Sequence, residues 1–358
     1  MKAISRLISA VVLLALTGAV VLTAKYAPEL FSQIYPRLSQ EILGVLSSVS
    51  SKVALPLWEV GVALLVVLFV WLLIRAVKKK RFWRWVTSLV LLASFLLFSF
   101  VTFWGAGHML PTLSEQIVTL QDSTAQELYA ATAYYAAQLD ALAPEMTRGA
   151  DGKVLLEDFD ELAEKAEDSF EALAEKYAVI PEAEFSVKKL LVGDLFGYLG
   201  ITGVFVPVTA ESTVSPHTYP SSLPYTICHE MGHRVGACAE EDANFLAFLA
   251  CVDHEDVQFR YSAAFNAFIY CYNALYKVSP PAASKVWKAM TPLAQKDVAL
   301  ANSHYEPYEG KVQEAAQKVN DTYLKTAGQE AGVQSYGLVS DALIAWYREN
   351  IANSKNNA

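Results

Sequence analysis

Histidine and cysteine are both scarce in this chain, and their scarcity limits the kinds of metal and redox site that it can form. Only six histidines and four cysteines occur in 358 residues. None of the cysteines stands in the C-x-x-C spacing that is typical of cysteine-ligated zinc sites and dithiol redox motifs. Neither kind of site is therefore predicted. The even number of cysteines permits disulfides outside the cell, and their pairing stays open.

Basic side chains are in deficit over most of the chain. Residues 1–104 hold 11 Lys and Arg against 3 Asp and Glu, a balance of +8, whereas the remainder holds 17 against 34, a balance of −17. The two balances sum to the net charge of −9. The sequence has no basic patch of the kind that binds phosphate backbones, so no nucleic-acid partner is predicted.

Apolar residues are in excess, and they are concentrated near the N-terminus. The chain is 54% hydrophobic, with a mean hydropathy of +0.27. Three apolar runs, at about 7–24, 53–77 and 82–105, are each long enough to cross a hydrocarbon core of about 30 Å. Lys2 and Arg6 precede the first run, as in a signal peptide, but no small-x-small cleavage site follows it. We therefore predict a retained anchor and a lipid bilayer as a partner.

The basic residues between the second and third runs set the predicted orientation. Segment 75–84 is rich in Lys and Arg, and such a short basic loop belongs on the cytoplasmic side. We therefore predict a multi-pass protein of a bacterial cytoplasmic membrane with a cytoplasmic N-terminus. Residues 1–105 form its transmembrane region, and residues 106–358 form an extracytoplasmic domain.

The loop between the first two runs, residues 25–52, has its own apolar periodicity. Leucine and isoleucine recur at helical spacing, at Leu30, Ile34, Leu38, Ile42 and Leu46. This pattern predicts an amphipathic helix that lies on the membrane face. A plain connector between two spans is the simpler alternative.

The sequence His229-Glu-Met-Gly-His233 is the strongest functional signal in the chain. Two histidines four residues apart on a helix project from one face, so both imidazoles can reach one tetrahedral zinc ion. Glu230, beside the first histidine, can take a proton from a water that the metal holds. The motif therefore predicts a Zn²⁺ site with Glu230 as the catalytic base. Two surface histidines on an ordinary helix are the simpler alternative.

A third ligand is needed, and it cannot come from a straight continuation of the same helix. A residue at position 240 would then lie about 10 Å further along the axis, at a rise of about 1.5 Å per residue. Gly236 can end the helix, because glycine readily adopts the left-handed conformation. A second helix that begins near Glu240 could direct a carboxylate in its first turn back at the histidines.

Three consecutive acids, Glu240, Glu241 and Asp242, compete for this role, and a helix N-terminus favours acids in any case. The stretch E-x-x-A-N resembles the E-x-x-[AS]-[DN] pattern of glutamate-ligand zincins. That resemblance implies that Glu240 binds the metal and that Asn244 accepts a hydrogen bond from a ligand histidine. Glu241 is the second choice.

The segments before the motif predict a strand and a loop. Gly203–Val208 is β-branched and aromatic, and Pro207 suits an edge strand because it cannot donate to a sheet. In zincins an edge strand beside the active-site helix pairs with an extended substrate; a structural strand is equally compatible. Residues 212–222 are predicted to be a loop, with His217 at its surface.

Zincins often use a downstream histidine or tyrosine to stabilise the oxyanion. The candidates here are His304, Tyr305, Tyr336 and Tyr347. Since the chain holds 18 tyrosines, the pattern favours none of them, and this role stays unassigned.

Several stretches together resemble one bacterial membrane-protein family that is catalogued as a domain of unknown function. They are the loop from Pro28 to Pro36, and segments 202–211, 224–236, 240–249, 259–263 and 335–337. Members carry N-terminal spans and an H-E-x-x-H domain, which implies a zinc metallopeptidase of unknown substrate. Many relatives have R-E-D-E-A-N where this chain has A-E-E-D-A-N, so Asp242 replaces a glutamate and Glu240 keeps the ligand position.

The predicted fold is therefore three transmembrane helices followed by a mostly α, zincin-like α+β domain with a short edge strand and an H-E-x-x-H helix. The predicted function is hydrolysis of peptide bonds by a membrane-anchored zinc metallopeptidase. An intramembrane protease is disfavoured, because charged residues such as Arg234 and Glu241 surround the motif. The alternative is a non-catalytic membrane adaptor or sensor with a structural or vestigial zinc site.

Overall fold

Helices dominate the architecture, which a computed structural model describes for residues 2–183, 186–326 and 336–353. The chain forms two compact units. The first comprises Met1–Leu110 together with Phe205–Glu211, and the second comprises Pro111–Val204 together with Ser212–Ala358. The sequence-based division into a transmembrane region, 1–105, and an extracytoplasmic domain, 106–358, stays a prediction.

The first unit contains the apolar helices. Its helices are α1 (Lys2–Tyr26), α2 (Pro28–Ser50), α3 (Leu57–Lys78) and α4 (Phe82–Phe103). Within α1, α3 and α4, three stretches are long and apolar enough to cross a membrane. The prediction of three N-terminal helices that could span a membrane is thus confirmed by length and composition, while their orientation stays a prediction.

Helix α2 occupies the loop for which an amphipathic helix was predicted, and its position on a membrane face stays a prediction. Leu30, Ile34 and Leu38 are exposed. The buried face lies one residue further on and includes Phe31 and Tyr35, whose rings stack at 4.6 Å. The Tyr35 hydroxyl donates to the Val101 carbonyl of α4 at 3.3 Å, so aromatic and small side chains pack α2 against its neighbours.

Segment 205–211 of the first unit is attached to the helices α3 and α4. Glu211 is buried, and its carboxylate oxygens accept hydrogen bonds from the backbone N–H groups of Leu57 and Trp58, each at 2.8 Å. These N–H groups lie in the first turn of α3, where no carbonyl of the same helix can accept from them and where the helix dipole favours a negative charge. The ring of Phe205 lies 5.9 Å from that of Trp104. Glu211 therefore caps α3.

The second unit is a helical assembly around one large apolar core. Fully buried side chains from α6, α9, α10 and α11 meet there, among them Leu139, Ile227, Phe245 and Phe268. Its helices are α5 (Leu113–Ile117), α6 (Ala125–Leu142), α7 (Phe159–Lys176), α8 (Gly193–Gly197), α9 (Leu223–Arg234), α10 (Glu240–Val252), α11 (Val257–Val278), α12 (Pro280–Ala289), α13 (Pro292–Tyr305), α14 (Lys311–Thr326) and α15 (Tyr336–Tyr347).

A small sheet accompanies these helices. Its strands are β1 (Val187–Lys189), β2 (Gly203–Val206) and β3 (Glu211–Val214), in the order β1-β3-β2, with β1 parallel to β3. β2 is an edge strand and ends before Pro207, which lacks an N–H group for a sheet.

β3 corrects the sequence analysis, which assigned residues 212–222 to a loop. Its serine and threonine side chains are polar yet buried, because they bond to neighbouring backbone. The Ser212 hydroxyl donates to the Glu230 carbonyl at 2.8 Å, and the Thr213 hydroxyl donates to the Val204 carbonyl at 3.0 Å. A polar strand of this kind shows no apolar alternation, so the sequence concealed it.

A buried ionic network joins two distant segments of the second unit. Arg148 donates to both carboxylate oxygens of Asp297, and the Tyr261 hydroxyl donates to the same carboxylate at 2.6 Å. Asp297 is fully buried. Removal of its carboxylate would leave a guanidinium and a phenol without their acceptor.

We expect Asp297→Ala to lower the free energy of unfolding of the full chain by about 3–5 kcal/mol, the range for a broken buried ion pair. Urea unfolding in detergent measures it. Asp194→Ala, which removes an exposed carboxylate of the same type, serves as the control and should change stability by less than about 0.5 kcal/mol. Equal losses in the two variants would contradict this account of the network.

Candidate metal centre

Helix α9 presents the two motif histidines on one face. Pro224 lies in its first turn, where a missing N–H group costs nothing. His229 and His233 follow four residues apart, and their ring centroids are 4.7 Å apart. His233 is buried and His229 is partly buried, so both rings lie in a site largely shielded from solvent.

The chain then turns sharply and returns. Gly236 has a φ of 111°, in the region that favours glycine, and the N–H of Ala237 donates to the Gly232 carbonyl at 3.0 Å. Gly232 also allows α9 to approach α10, because a Cβ there would lie 3.3 Å from Cα of Ala243. This turn brings Glu240, the first residue of α10, back to the histidines.

Three potential ligand atoms converge at this point. His229 Nε2 lies 3.4 Å from Glu240 Oε2, and His233 Nε2 lies 3.7 Å from Glu240 Oε1. The ligand atoms of the three residues all lie within 4.8 Å of one another. Ligands about 2.0–2.2 Å from a tetrahedral zinc ion are roughly 3.3–3.6 Å from one another, so these spacings fit one such ion.

The other nitrogen of each imidazole is held by an oxygen. His229 Nδ1 lies 3.2 Å from Asn244 Oδ1, and His233 Nδ1 lies 2.6 Å from the Ala237 carbonyl. Since a carbonyl oxygen only accepts, each Nδ1 carries a proton, and in the neutral imidazole each Nε2 then has a lone pair for a metal. Asn244 thus lies beside His229, and its role in supporting a metal ligand stays a prediction.

Two further groups fix Asn244, and the sequence analysis missed one of them. The Asn244 amide donates to the Glu240 carbonyl at 2.8 Å, and the Tyr270 hydroxyl donates to Asn244 Oδ1 at 2.8 Å. Tyr270 belongs to α11, far from the motif in sequence. No spacing rule distinguishes it from the other tyrosines, so only the packing of α11 on α10 reveals its position.

The three consecutive acids have separate contacts. Glu240 alone of the three belongs to the ligand cluster. Asp242 is buried and accepts hydrogen bonds from the backbone N–H groups of Leu113 and Ser114 and from the Ser114 hydroxyl, at 2.6–2.9 Å. Glu241 is buried as well, and burial raises its pKa. The geometry thus favours Glu240 over Glu241 as the third ligand.

Glu230 is buried beside the cluster, with one carboxylate oxygen that has no hydrogen-bond donor among the described residues. Its side chain is 4% exposed, and the atom concerned is Oε2. A Cβ on Gly203 would lie 2.4 Å from Oε1, so only glycine at that position leaves room for the carboxylate. A buried oxygen without a donor is rare and is typical of places where water or an ion binds.

Burial and neighbouring charges shift the protonation of the site. Burial raises the pKa of Glu230 to about 8, the charge of His229 opposes this rise, and the charge of Glu240 adds to it. Burial lowers the pKa of His229, but its hydrogen bond to Glu240 and the charges of Glu240 and Glu230 outweigh burial and raise it overall. The pKa values of His229 and Glu230 thus depend on each other's charge and on the charge of Glu240.

The four cysteines are free thiols in this structure. Cys228, Cys238, Cys251 and Cys271 are all buried, and the sulfurs of Cys228 and Cys251 lie 3.6 Å apart. Burial raises the pKa of Cys251, Cys238 and Cys271, which keeps these sulfurs protonated and unreactive. Cys228, next to His229 in sequence, therefore packs in the core between α9 and α10.

The candidate oxyanion groups make other contacts. His304 donates to a backbone carbonyl at 2.8 Å, and the Tyr305 hydroxyl accepts a backbone N–H at 3.1 Å. The ring of Tyr347 packs among aromatic side chains, and the side chain of Tyr336 lies outside the described residues. The role stays unassigned.

We expect Glu230→Gln to stabilise the metal-free protein at high pH. With a pKa of about 8 in the folded state against 4.5 for the ordinary group, the folded state holds this proton more tightly. The stability that this protonated group contributes is therefore fully present below about pH 4. That contribution falls by up to roughly 4 kcal/mol as the pH rises to 8. The urea midpoint of the chelated full chain should rise in the variant at pH 8 and stay unchanged at pH 4.

Glu115→Gln, which alters an exposed carboxylate of α5, is the control for this measurement. It should leave both midpoints unchanged. If Glu230→Gln and wild type unfold at the same urea concentration at pH 8, Glu230 is not buried as described.

Comparison with known proteins identifies the family of this chain. Residues 32–344 match a family model described as "Protein of unknown function (DUF3810)", and this match includes α9, α10 and the ligand cluster. Neither the curated proteins nor the solved structures contain a match to the chain. Because the match extends over most of its 358 residues, the chain belongs to the DUF3810 family.

Proposed function

We propose that the chain is a membrane-anchored metallopeptidase with a zincin-like site that uses zinc. One observation carries the proposal. The ligand atoms of His229, His233 and Glu240 lie within 4.8 Å of one another, beside the buried carboxylate of Glu230. Structural zinc sites have four protein ligands, whereas catalytic sites have three and keep a position open. Three ligands with an adjacent base match the catalytic type.

The residues present fit a zinc ion. The two Nε2 atoms keep their lone pairs because each Nδ1 hydrogen-bonds to an oxygen. Glu240 supplies a carboxylate that is 36% exposed and thus accessible from solvent. When bound, zinc lowers the pKa of water to about 7 and polarises a carbonyl group.

In this proposal the proton transfers belong to Glu230. The carboxylate takes a proton from the attacking water, whose oxygen forms a bond to the peptide carbonyl carbon. As the C–N bond breaks, Glu230 returns that proton to the leaving amine. Its Oε2, which has no donor among the described residues, is available for the water. Gly203 positions this side chain, because the backbone there contacts the carboxylate.

The edge strand supplies a place for the substrate backbone. β2 begins at Gly203, beside Glu230, and lies at the edge of the sheet. An extended peptide can add to an exposed strand edge through main-chain hydrogen bonds. We propose a protein or peptide substrate bound in this manner, on the extracytoplasmic side of a bacterial cytoplasmic membrane as the basic segment 75–84 indicates.

A non-catalytic adaptor or sensor with a structural zinc ion is the alternative. Such a site has no use for a buried carboxylate beside its ligands, and its burial carries a cost in stability. A Glu230→Gln protein that keeps full biological function would favour the adaptor.

We expect one zinc ion per chain in the full-length protein purified in detergent without chelator. His229→Ala and Glu240→Ala should lose most of it, because each removes one of three ligands. Glu241→Ala is the matched control, since its carboxylate lies outside the cluster, and should keep its zinc. Metal analysis by mass spectrometry measures the content. A folded wild-type chain without metal would refute the zinc site.

We further expect Gly203→Ala to separate metal binding from catalysis. A methyl group 2.4 Å from Glu230 Oε1 must displace the base, while the ligands stay in place. Cleavage of a mixed peptide library should fall by about 100-fold or more, the typical contribution of a general base, with the zinc content unchanged. Gly44→Ala, where a Cβ meets no atom within 4 Å, is the control. Wild-type cleavage by Gly203→Ala would contradict the role of Glu230.

A further inference from the structure

A cavity of about 240 Å³ lies within the second unit. It is bounded by α8, by the residues just before β2, by those just after β3, and by residues from the end of α13 to the start of α14. Small-molecule sites for drug-sized ligands have volumes of about 300–1,000 Å³, so this cavity is suited to one side chain.

The walls of the cavity are flat and mostly apolar. The side chains of Ile201, Tyr305 and Tyr308 line it. Gly197 allows the ring of Tyr308 to lie against the backbone, because a Cβ there would be 2.8 Å from that ring. Aromatic walls with flat backbone beside them favour a planar ring, through offset or edge-to-face contacts.

One polar group in the cavity has no partner among the described residues. Thr218 lines the cavity and is 4% exposed, and its Oγ1 forms no hydrogen bond with any described group. A buried hydroxyl without a partner costs free energy, which a ligand with a hydrogen-bonding tip would recover. None of the lining residues is Asp, Glu, Lys or Arg, so the walls favour an uncharged ligand.

The cavity adjoins the candidate metal centre through one peptide unit. Thr202 lines the cavity, and the next residue, Gly203, contacts the carboxylate of Glu230. Consecutive Cα atoms are about 3.8 Å apart. The N–H of Ser215, a second lining residue, donates to the Thr202 carbonyl at 2.7 Å and fixes this wall.

We propose that this cavity binds an aromatic side chain of the peptide substrate and prefers tyrosine, whose hydroxyl bonds to Thr218. The ring lies between the walls formed by Tyr305 and Tyr308. The assignment to a substrate rests on the proposed peptidase function, whereas the binding of an aromatic group rests on the cavity alone. This cavity thereby gives the cleavage site a side-chain preference.

The test measures binding of N-acetyl-L-tyrosinamide, N-acetyl-L-phenylalaninamide and N-acetyl-L-leucinamide to the full chain in detergent, by saturation-transfer NMR titration. Tyrosinamide should bind several-fold more tightly than phenylalaninamide, and leucinamide most weakly. Thr218→Val should weaken tyrosinamide binding about three- to tenfold, as expected for one hydrogen bond, and leave phenylalaninamide unchanged. Tyr308→Leu should weaken both aromatic amides.

Thr119→Val makes the same substitution at an exposed threonine and should leave the binding of all three amides unchanged. Tyr308→Leu distinguishes binding in the cavity from partition into the detergent micelle, which this substitution does not affect. The urea midpoint of each variant establishes that it is folded. The proposal is overturned if leucinamide binds as tightly as tyrosinamide, or if a folded Thr218→Val protein still distinguishes tyrosinamide from phenylalaninamide.

Cleavage of a mixed peptide library distinguishes a failure of the aromatic-site proposal from a failure of the proposed peptidase function. Products enriched in tyrosine at one position from the cleaved bond support both. Cleavage without aromatic enrichment overturns the substrate assignment and leaves the peptidase in place. Tyrosinamide binding with no cleavage by the zinc-loaded protein overturns the peptidase and leaves the aromatic site.

Discussion

The close approach of α9 and α10 is the constraint on which the candidate site depends. A histidine pair on one helix cannot be met by a carboxylate further along the same helix, so the chain has to turn and return. Gly236 supplies the left-handed turn, and Gly232 leaves space for the backbone at Ala243. The ligand cluster is thus produced by two glycines that carry no chemistry themselves.

Two glutamates in this site have the same side chain and different surroundings. Glu240 is 36% exposed and lies against both imidazoles, whereas Glu230 is 4% exposed and packs on Gly203. Contact with histidines suits a group that stays charged, and burial suits one that exchanges a proton near neutral pH. Environment rather than residue type therefore separates the proposed ligand from the proposed base.

Local patterns predicted those parts of the molecule that depend on local physics. The spans followed from apolar length, the α9 helix from its motif, and the turn at Gly236 from the freedom of glycine. Features that depend on tertiary contacts were missed: the polar strand β3 and the hydrogen bond from Tyr270 to Asn244. Each of these is set by a partner that is distant in sequence, which no spacing rule identifies.

The capping of α3 by Glu211 has a consequence for the order in which the protein is made. The first N–H groups of a candidate membrane span cannot meet the Glu211 carboxylate until residue 211 has been synthesised, although the span itself ends near residue 78. Nascent chains fold domain by domain from the N-terminus. Here the first unit is completed only by a late segment, and the residues of the candidate metal centre follow that segment on the ribosome.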